Sequence, residues 1–170
     1  PQHWTIEDSE QLYQIQGWGD PYFSINRAGH ITVSPQGDRG TSLDLYQLIE
    51  ALRQRNIELP ILIRFPEILA DRVERLYACF DRAISRYNYG GTYRGVFPIK
   101  CNQHRHLVES LVESGNPHQL GLEVGSKPEL MIALATLNPL QVSPKQEQQS
   151  LLICNGYKDR EYIETALLSR

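Results

Sequence analysis

Apolar residues along the chain follow two alternating spacings. From residue 42 onward, segments with an apolar residue every three to four positions alternate with short apolar runs bounded by turn residues. The first spacing is typical of amphipathic helices and the second of buried strands. Four consecutive β/α units are predicted, which implies parallel strands joined by crossover helices. The pattern therefore indicates an α/β fold.

The predicted elements of these units can be placed on the sequence. Strands are expected at 59–65, 92–100, 119–124 and 150–157, and helices at 43–55, 66–87, 105–114, 127–137 and 159–170. Two of the helices show a clear apolar face. These faces carry Leu45, Leu48, Ile49 and Leu52 in the first helix, and Ile68, Leu69, Val73, Leu76 and Phe80 in the second.

The first 41 residues have a different character. A short helix is expected at 4–16, with Asp8 or Ser9 as its N-cap. The runs YFSI and HITV, separated by NRAG, predict a β-hairpin or two loosely connected strands. We therefore divide the chain into 1–41 and 42–170. The polar, proline-containing stretch 138–150 is expected to be an exposed connector rather than a domain boundary.

The β/α pattern fits two architectures, an open doubly wound sheet and part of a (β/α)8 barrel. The length of 170 residues favours the open sheet, because a whole barrel takes about 250 residues. However, no GxGxxG follows any predicted strand, and no GxxxxGK[ST] loop is present. A nucleotide-binding sheet is therefore disfavoured.

Composition excludes several classes of function. Acidic residues outnumber basic ones by 20 to 17 and the basic ones are scattered, so no nucleic-acid partner is expected. The apolar runs are too short to cross a bilayer and the first residues do not resemble a signal peptide, which predicts a cytoplasmic protein. Three widely spaced cysteines predict reduced thiols. Cys101, His104 and His106 form only a weak metal-like grouping.

The candidate catalytic and binding side chains lie at the ends of the predicted strands. Lys100 ends the second strand, and Glu123 and Asn155 occupy comparable places on the third and fourth. The carboxyl ends of parallel strands lie side by side at one edge, so these three side chains are expected to line one mouth. A partly desolvated lysine amine there could form a Schiff base. The alternatives are a solvent-facing lysine and a buried acid with a basic neighbour.

The turn after the third strand admits two readings. Ser126 with Glu129 forms a capping-box pattern for the following helix, and the amides of Gly125 and Ser126 could instead receive an anion. We favour the cap. Cys154 is interpreted as a core residue, and His104 and His106 as polar residues of a strand-to-helix loop.

Longer motifs point to a family. The segments GWGDPYFSIN, LPILIRFPEIL, YRGVFPIKCNQHRHLVE, GLEVGSKPEL and LLICNGYKDREYI occur in this order. Together they resemble the amino-terminal part of the biosynthetic arginine decarboxylases, over nearly the whole chain. Phe97 and Cys101 stand where that family commonly has Tyr and Val.

The resemblance implies a pyridoxal-phosphate enzyme of the alanine-racemase-like fold, a (β/α)8 barrel with an added β-domain. Residues 42–170 would form the first four β/α units, about half of the barrel, and 1–41 would belong to the β-domain. Lys100 would be the catalytic residue, holding the cofactor as an internal aldimine. From their places at the neighbouring strand ends, Glu123 and Asn155 are predicted to bind the cofactor as well. The implied reaction converts L-arginine to agmatine and CO2 in polyamine (putrescine and spermidine) biosynthesis.

The family's further site residues would lie beyond the segments matched here. The resemblance also associates the family with Mg2+, for which no site can be identified, and with homo-oligomers. Because none of those further site residues can be mapped onto these 170 residues, we predict that this chain alone has no decarboxylase activity. Two alternatives remain: a related decarboxylase of ornithine or diaminopimelate, and a non-catalytic truncated module that assembles with another subunit.

Overall fold

The computed structural model describes residues 3–137 and 150–168. The chain divides into two compact units, Pro1–Asp71 and Arg72–Arg170. Lys100, Glu123 and Asn155 all belong to the second unit, whereas the predicted hairpin belongs to the first.

The first unit begins with two short helices, α1 (Ile6–Tyr13) and α2 (Ile15–Gly19). The N-cap of α1 is Thr5 rather than Asp8 or Ser9, so that part of the prediction is wrong. Thr5 Oγ1 accepts a hydrogen bond from the Asp8 N–H at 3.2 Å, and the Asp8 carboxylate accepts one from the Thr5 N–H at 2.8 Å. This reciprocal arrangement is a capping box, whose acid at the third helical position resembles a cap in the sequence.

The predicted hairpin is present and gains a third strand. Strands β1 (Phe23–Ile25) and β2 (Ile31–Val33) pair antiparallel, and β3 (Leu43–Asp44) adds to β2. Helix α3 (Leu45–Gln54) follows directly, with Asp44 as its N-cap. Its predicted apolar face is half-buried rather than fully enclosed. The buried apolar side chains of this unit include Ile15, Tyr22 and Val33.

The strand predicted at 59–65 is not formed. Ile61 and Ile63 are half-buried while Leu62 and Arg64 are exposed, so the segment keeps the alternation of an extended chain. A strand also requires ladder hydrogen bonds to a neighbour, and within the described residues this segment pairs with no strand. The alternation of apolar residues predicted the extended backbone correctly but could not supply its partner.

Helix α4 (Pro66–Arg86) begins at the predicted proline. Val73 of its predicted inner face is buried, but Leu76 and Phe80 are exposed. Tyr77, which the prediction omitted, is buried, and its hydroxyl accepts a hydrogen bond from the Gly95 N–H at 3.1 Å. The polar tip of tyrosine thus satisfies a backbone donor while its ring fills space.

The second unit contains a parallel sheet of three strands in the order β4 (Val96–Pro98), β5 (Gly121–Val124) and β6 (Leu152–Cys154). Helices α5 (Arg105–Gly115), α6 (Lys127–Thr136) and α7 (Arg160–Leu168) follow these strands in turn. The α/β class with a parallel sheet is therefore confirmed. Its core consists of Ile99, Val108, Leu122, Val124, Leu130, Ala133 and Tyr162.

The connector predicted at 138–150 lies outside the described residues except for Ser150. Among residues 3–137 and 150–168, no helix has the length and apolar character needed to cross a membrane.

Candidate functional site

Lys100 and Glu123 lie at the carboxyl edge of the parallel sheet, but neither is the last residue of its strand. Lys100 is in the 3₁₀ turn Ile99–Cys101 that follows β4, and Glu123 is the third residue of the four in β5. The register pairs Pro98 with Glu123, so the turn that carries Lys100 begins beside the carboxylate. The predicted strand-end positions are thus each displaced by one or two residues.

The structure brings these two side chains together. Lys100 Nζ lies 3.9 Å from Glu123 Oε2, close enough for ionic attraction but too far for a hydrogen bond. The lysine side chain is 64% exposed and the glutamate side chain 11% exposed. A buried carboxylate therefore stands beside an amine that solvent and small molecules can reach.

Asn155 is placed next to the site without joining the pair. It directly follows β6, and its backbone N–H donates to the Val124 carbonyl at 2.7 Å. Its side-chain Oδ1 accepts a hydrogen bond from the Gly156 N–H at 2.9 Å. In the described part of the chain its amide makes no hydrogen bond to Lys100 or Glu123. Asn155 therefore shapes the turn after β6.

The turns after β5 and β6 contact each other through the backbones of two glycines, Gly125 and Gly156. Gly156 has a φ of +75°, in the left-handed region that favours glycine. A Cβ at Gly156 would lie 2.4 Å from the Gly125 carbonyl oxygen, closer than any real contact. Glycine is thus required at 156 both for its backbone conformation and for the approach of the two turns.

Glu129 is the residue of the site that sequence reasoning placed in a different role. As predicted, Ser126 caps α6, because its Oγ accepts from the Glu129 N–H at 3.4 Å. In a capping box the acid would return to the Ser126 N–H. Instead, buried Glu129 accepts from the Gly125 N–H at 2.6 Å and from Gln103 Nε2 at 3.3 Å. The S-x-x-E spacing was the only sequence signal for Glu129, and it predicted a helix cap rather than these two bonds.

Tyr162 is fully buried beneath this edge of the sheet. Its hydroxyl donates to the Val124 carbonyl at 3.4 Å. Burial, followed by a hydrogen bond with the Cys154 thiol and the charges of Glu129 and Glu123, raises the pKa of Tyr162 to about 12. The phenol therefore stays protonated at neutral pH, and Cys154 packs against the core as predicted.

An ion-pair cluster links the first turns of α6 and α7. Lys127 Nζ lies 3.0 Å from Asp159 Oδ2 and 2.7 Å from Glu161 Oε2. These two hydrogen bonds raise the pKa of Lys127. The pKa of Asp159 is lowered, first by the hydrogen bond from the Tyr162 N–H and then by Lys127. Lys127 engaged in this way differs from Lys100, whose amine has, among the described residues, only the Glu123 oxygen at 3.9 Å as a charged neighbour.

Within the described residues, the histidines that follow Lys100 belong to no group of side chains that could hold a metal ion. His104 is the N-cap of α5 and His106 lies inside its first turn, so the prediction that both lie in a loop is wrong for His106. Their rings are 5.4 Å apart. Across residues 3–137 and 150–168, no three His, Cys, Asp or Glu side chains are grouped in a way that could hold a metal ion.

Comparison with known proteins identifies the family. The model of the family described as "Pyridoxal-dependent decarboxylase, pyridoxal binding domain" matches residues 71–170. The chain belongs to this family. The match covers the whole parallel sheet, including the Lys100–Glu123 pair.

Individual relatives give a narrower likeness. The chain is 70% identical over 168 residues to biosynthetic arginine decarboxylase 1 of Synechocystis sp., covering 98% of this chain and 24% of that protein. It is 68% identical over 168 residues to the biosynthetic arginine decarboxylase of Thermosynechococcus vestitus, covering 99% and 25%. The chain thus spans about a quarter of the length of these curated relatives.

A solved structure shows the same likeness in three dimensions. The crystal structure of the biosynthetic arginine decarboxylase of Campylobacter jejuni matches with a TM-score of 0.76 and 30% sequence identity, covering 92% of this chain and 24% of that one. The resemblance to biosynthetic arginine decarboxylases, first drawn from the motifs, is confirmed.

The donor set at the sheet edge fits the cofactor that the family name implies. Lys100 offers an exposed primary amine, the group that combines with an aldehyde, and the buried Glu123 carboxylate offers a fixed negative charge beside it. The contact between Gly125 and Gly156 keeps side chains off the neighbouring backbone. A flat aldehyde-bearing ring is chemically compatible with these groups.

Proposed function

We propose that this chain is the cofactor-lysine part of an arginine decarboxylase, which converts L-arginine to agmatine and CO2 in polyamine biosynthesis. The observation that carries the proposal is the exposed amine of Lys100, 3.9 Å from the buried Glu123 carboxylate, in a chain of the pyridoxal-dependent decarboxylase family. The likeness to two biosynthetic arginine decarboxylases, at 70% and 68% identity, supports arginine as the substrate.

In this proposal Lys100 is the residue that holds pyridoxal phosphate. When bound, that cofactor supplies an electron-accepting ring that stabilises the charge left when CO2 departs. Glu123 stays in place because it is buried, and its negative charge holds a cationic nitrogen beside it. Asn155 is proposed to line the same mouth through the turn it forms with Gly156.

The wider architecture is proposed along the same line. The three parallel strands would be part of a (β/α)8 barrel, and residues 1–41 part of an accessory β-domain. A homo-oligomer in the cytoplasm is the expected state of the longer protein. The barrel and β-domain assignments are supported by the likeness to a longer arginine decarboxylase structure, of which this chain covers 24%.

A segment exchange tests the function directly. Residues 1–170 would replace the matching 168 residues of the Synechocystis relative, and arginine-dependent release of CO2 and agmatine would be measured. Lys100→Arg is the matched control, because it keeps a positive charge near Glu123 but removes the nucleophilic amine. We expect activity in the exchange protein and none in the Lys100→Arg form.

The same assay separates the rival functions. Preference for ornithine or diaminopimelate over arginine would assign the chain to a related decarboxylase. An exchange protein that melts like its parent but releases no CO2 from any of the three would favour the non-catalytic module. Equal activity with Lys100→Arg would show that Lys100 is not the cofactor lysine.

A further inference from the structure

Two turns at the carboxyl edge of the sheet are joined by one buried carboxylate. Glu129, in the first turn of α6, accepts a hydrogen bond from the Gly125 N–H at 2.6 Å through Oε2 and one from Gln103 Nε2 at 3.3 Å through Oε1. Gly125 belongs to the turn after β5, and Gln103 to the turn after β4. One side chain on one helix therefore ties the turns of two neighbouring strands together.

The proposed cofactor residues lie close to these two turns: Lys100 in the 3₁₀ turn after β4, and Glu123 near the end of β5. Gln103 is three residues after Lys100, and Gly125 is two residues after Glu123. The distance of 3.9 Å between Lys100 Nζ and Glu123 Oε2 therefore depends on the positions of the turns after β4 and β5. The Lys100 side chain is exposed and makes no hydrogen bond within the described residues, so its position is set by its backbone.

The turn after β6 also depends on the position of Gly125. The Gly125 carbonyl packs against Gly156, with no room for a Cβ between them. Gly125 is thus fixed on both sides, by the Glu129 carboxylate at its N–H and by Gly156 at its carbonyl. Moving Gly125 would shift the turns after β5 and β6 together.

A role limited to capping α6 does not account for the Glu129 side chain. The Ser126 hydroxyl accepts from the Glu129 N–H, so the helix already has its cap. The carboxylate of Glu129 is buried, and burying a charge is costly unless hydrogen bonds compensate it. Both of its compensating bonds go to residues outside the helix.

We propose that Glu129 is a positioning residue, which holds Lys100 and Glu123 in register through its bonds to Gln103 and Gly125. This inference rests on the proposed function of Lys100 as the cofactor lysine. Glu129 itself is not proposed to touch the cofactor or the substrate.

The test uses the 170-residue chain with pyridoxal phosphate and borohydride, followed by mass mapping of the four lysines. Lys127, held by Asp159 and Glu161, is the internal reference for non-selective labelling. We compare the unchanged chain with Glu129→Ala, which removes both bonds, and Glu129→Gln, which keeps an oxygen for the Gly125 N–H. Leu130→Val, at the adjacent fully buried position, is the control for general destabilisation.

We expect Glu129→Ala to lower the rate of Lys100 labelling relative to Lys127 by about tenfold, near the lower end of the effect of losing a hydrogen bond to a charged acceptor. Glu129→Gln should restore at least half of the rate, because the Gln103 amide can rotate to accept from the new amide. Amide hydrogen exchange in segments 101–104 and 121–126 should speed up in Glu129→Ala beyond the general increase that Leu130→Val shows across the second unit.

The outcomes distinguish the two proposals. If the unchanged chain labels Lys100 no faster than Lys127, the cofactor role of Lys100 is wrong, and hydrogen exchange alone then decides the role of Glu129. Unchanged exchange in Glu129→Ala would overturn the positioning role. The same loss of Lys100 labelling in Leu130→Val would also overturn it, since the effect would then be general destabilisation.

Discussion

The attraction between Lys100 and Glu123 is expected to contribute little to the free energy of unfolding. The amine is mostly solvated and 3.9 Å from the carboxylate, so their attraction is weakened by water. We predict that Lys100→Ala changes the free energy of unfolding by less than about 1 kcal/mol, the range of exposed ion pairs. Denaturant unfolding measures this change. A larger loss of unfolding free energy would mean that the Lys100 amine stabilises the fold, which would argue against a role reserved for binding a ligand.

Tyr162 is expected to give the protein a specific sensitivity to high pH. Its pKa is raised from 10.0 to about 12 in the folded state, chiefly by burial. Between these values the unfolded chain loses the proton that the folded chain keeps, so the unfolded state binds fewer protons. The free energy of unfolding should therefore fall as the pH rises through this window.

Tyr162→Phe removes the titrating group and should flatten this part of the curve. At neutral pH the change should cost about 1 kcal/mol, because the hydroxyl loses a long hydrogen bond to the Val124 carbonyl and a weak one with the Cys154 thiol. Denaturant unfolding at pH 9 to 12 measures both effects. Identical curves for the two proteins would show that Tyr162 ionises normally.

The two glycines with the largest positive φ should respond differently to substitution. Gly29 has a φ of +81° with open space around it, whereas Gly156 has a φ of +75° and would place a Cβ against backbone. Gly29→Ala should cost about 1–2 kcal/mol from conformation alone. Gly156→Ala should cost clearly more. Hydrogen exchange of each unit measures the losses separately, and equal losses would argue against a close contact between Gly156 and Gly125.

At the scale of helices and strands, the prediction succeeded where local signals were sufficient. Pro66 and Ser126 mark helix starts through their own chemistry, and both helices begin there. The strand predicted at 59–65 failed because pairing depends on a distant partner. Leu76 was expected inside because apolar spacing shows that a helix has a face, but not which of its residues are covered.

The site was predictable in part for the same reason. Parallel strands bring their carboxyl ends together, which placed Lys100 near Glu123. The direction of an Asn side chain depends on its turn, so the contact of Asn155 with Gly156 could not be foreseen. The side-chain partners of Glu129 lie in two other segments, one of them 26 residues away, and spacing within one helix does not reveal them.

Helix α7 is expected to lose stability in acid through its N-cap. Asp159 accepts from the Tyr162 N–H at 2.9 Å, and its pKa lies below the usual 3.8. Its contribution is therefore present above pH 3.8 and lost as the pH falls further, through the folded value. Asp159→Asn keeps a capping oxygen but cannot titrate, so its thermal midpoint should depend less on pH in this range.

The control for this prediction is Glu164→Gln. Glu164 pairs with Arg160 on the exposed face of the same helix at 2.6 Å but caps nothing. Between pH 7 and 2.5, the thermal midpoint of Glu164→Gln should change with pH much as that of the unchanged protein does, whereas the midpoint of Asp159→Asn should change less. The reverse order would locate the acid sensitivity elsewhere.

At the scale of the whole molecule, the parallel sheet has two outer strands. Within the described residues, β4 and β6 each pair only with β5. Unpaired strand edges favour association with other chains. We predict that the 170-residue chain forms heterogeneous aggregates at increasing concentration, measured by size-exclusion chromatography with light scattering. A discrete, stable oligomer would instead support the non-catalytic module.

The division into two compact units has a practical optical consequence. Both tryptophans, Trp4 and Trp18, lie in the first unit, and the ring of Trp18 packs 5.3 Å from that of Phe23. Intrinsic tryptophan fluorescence therefore originates in the first unit. Any absorbance of a group attached at Lys100 would report on the second, so the unfolding of the two units can be followed in one sample at two wavelengths.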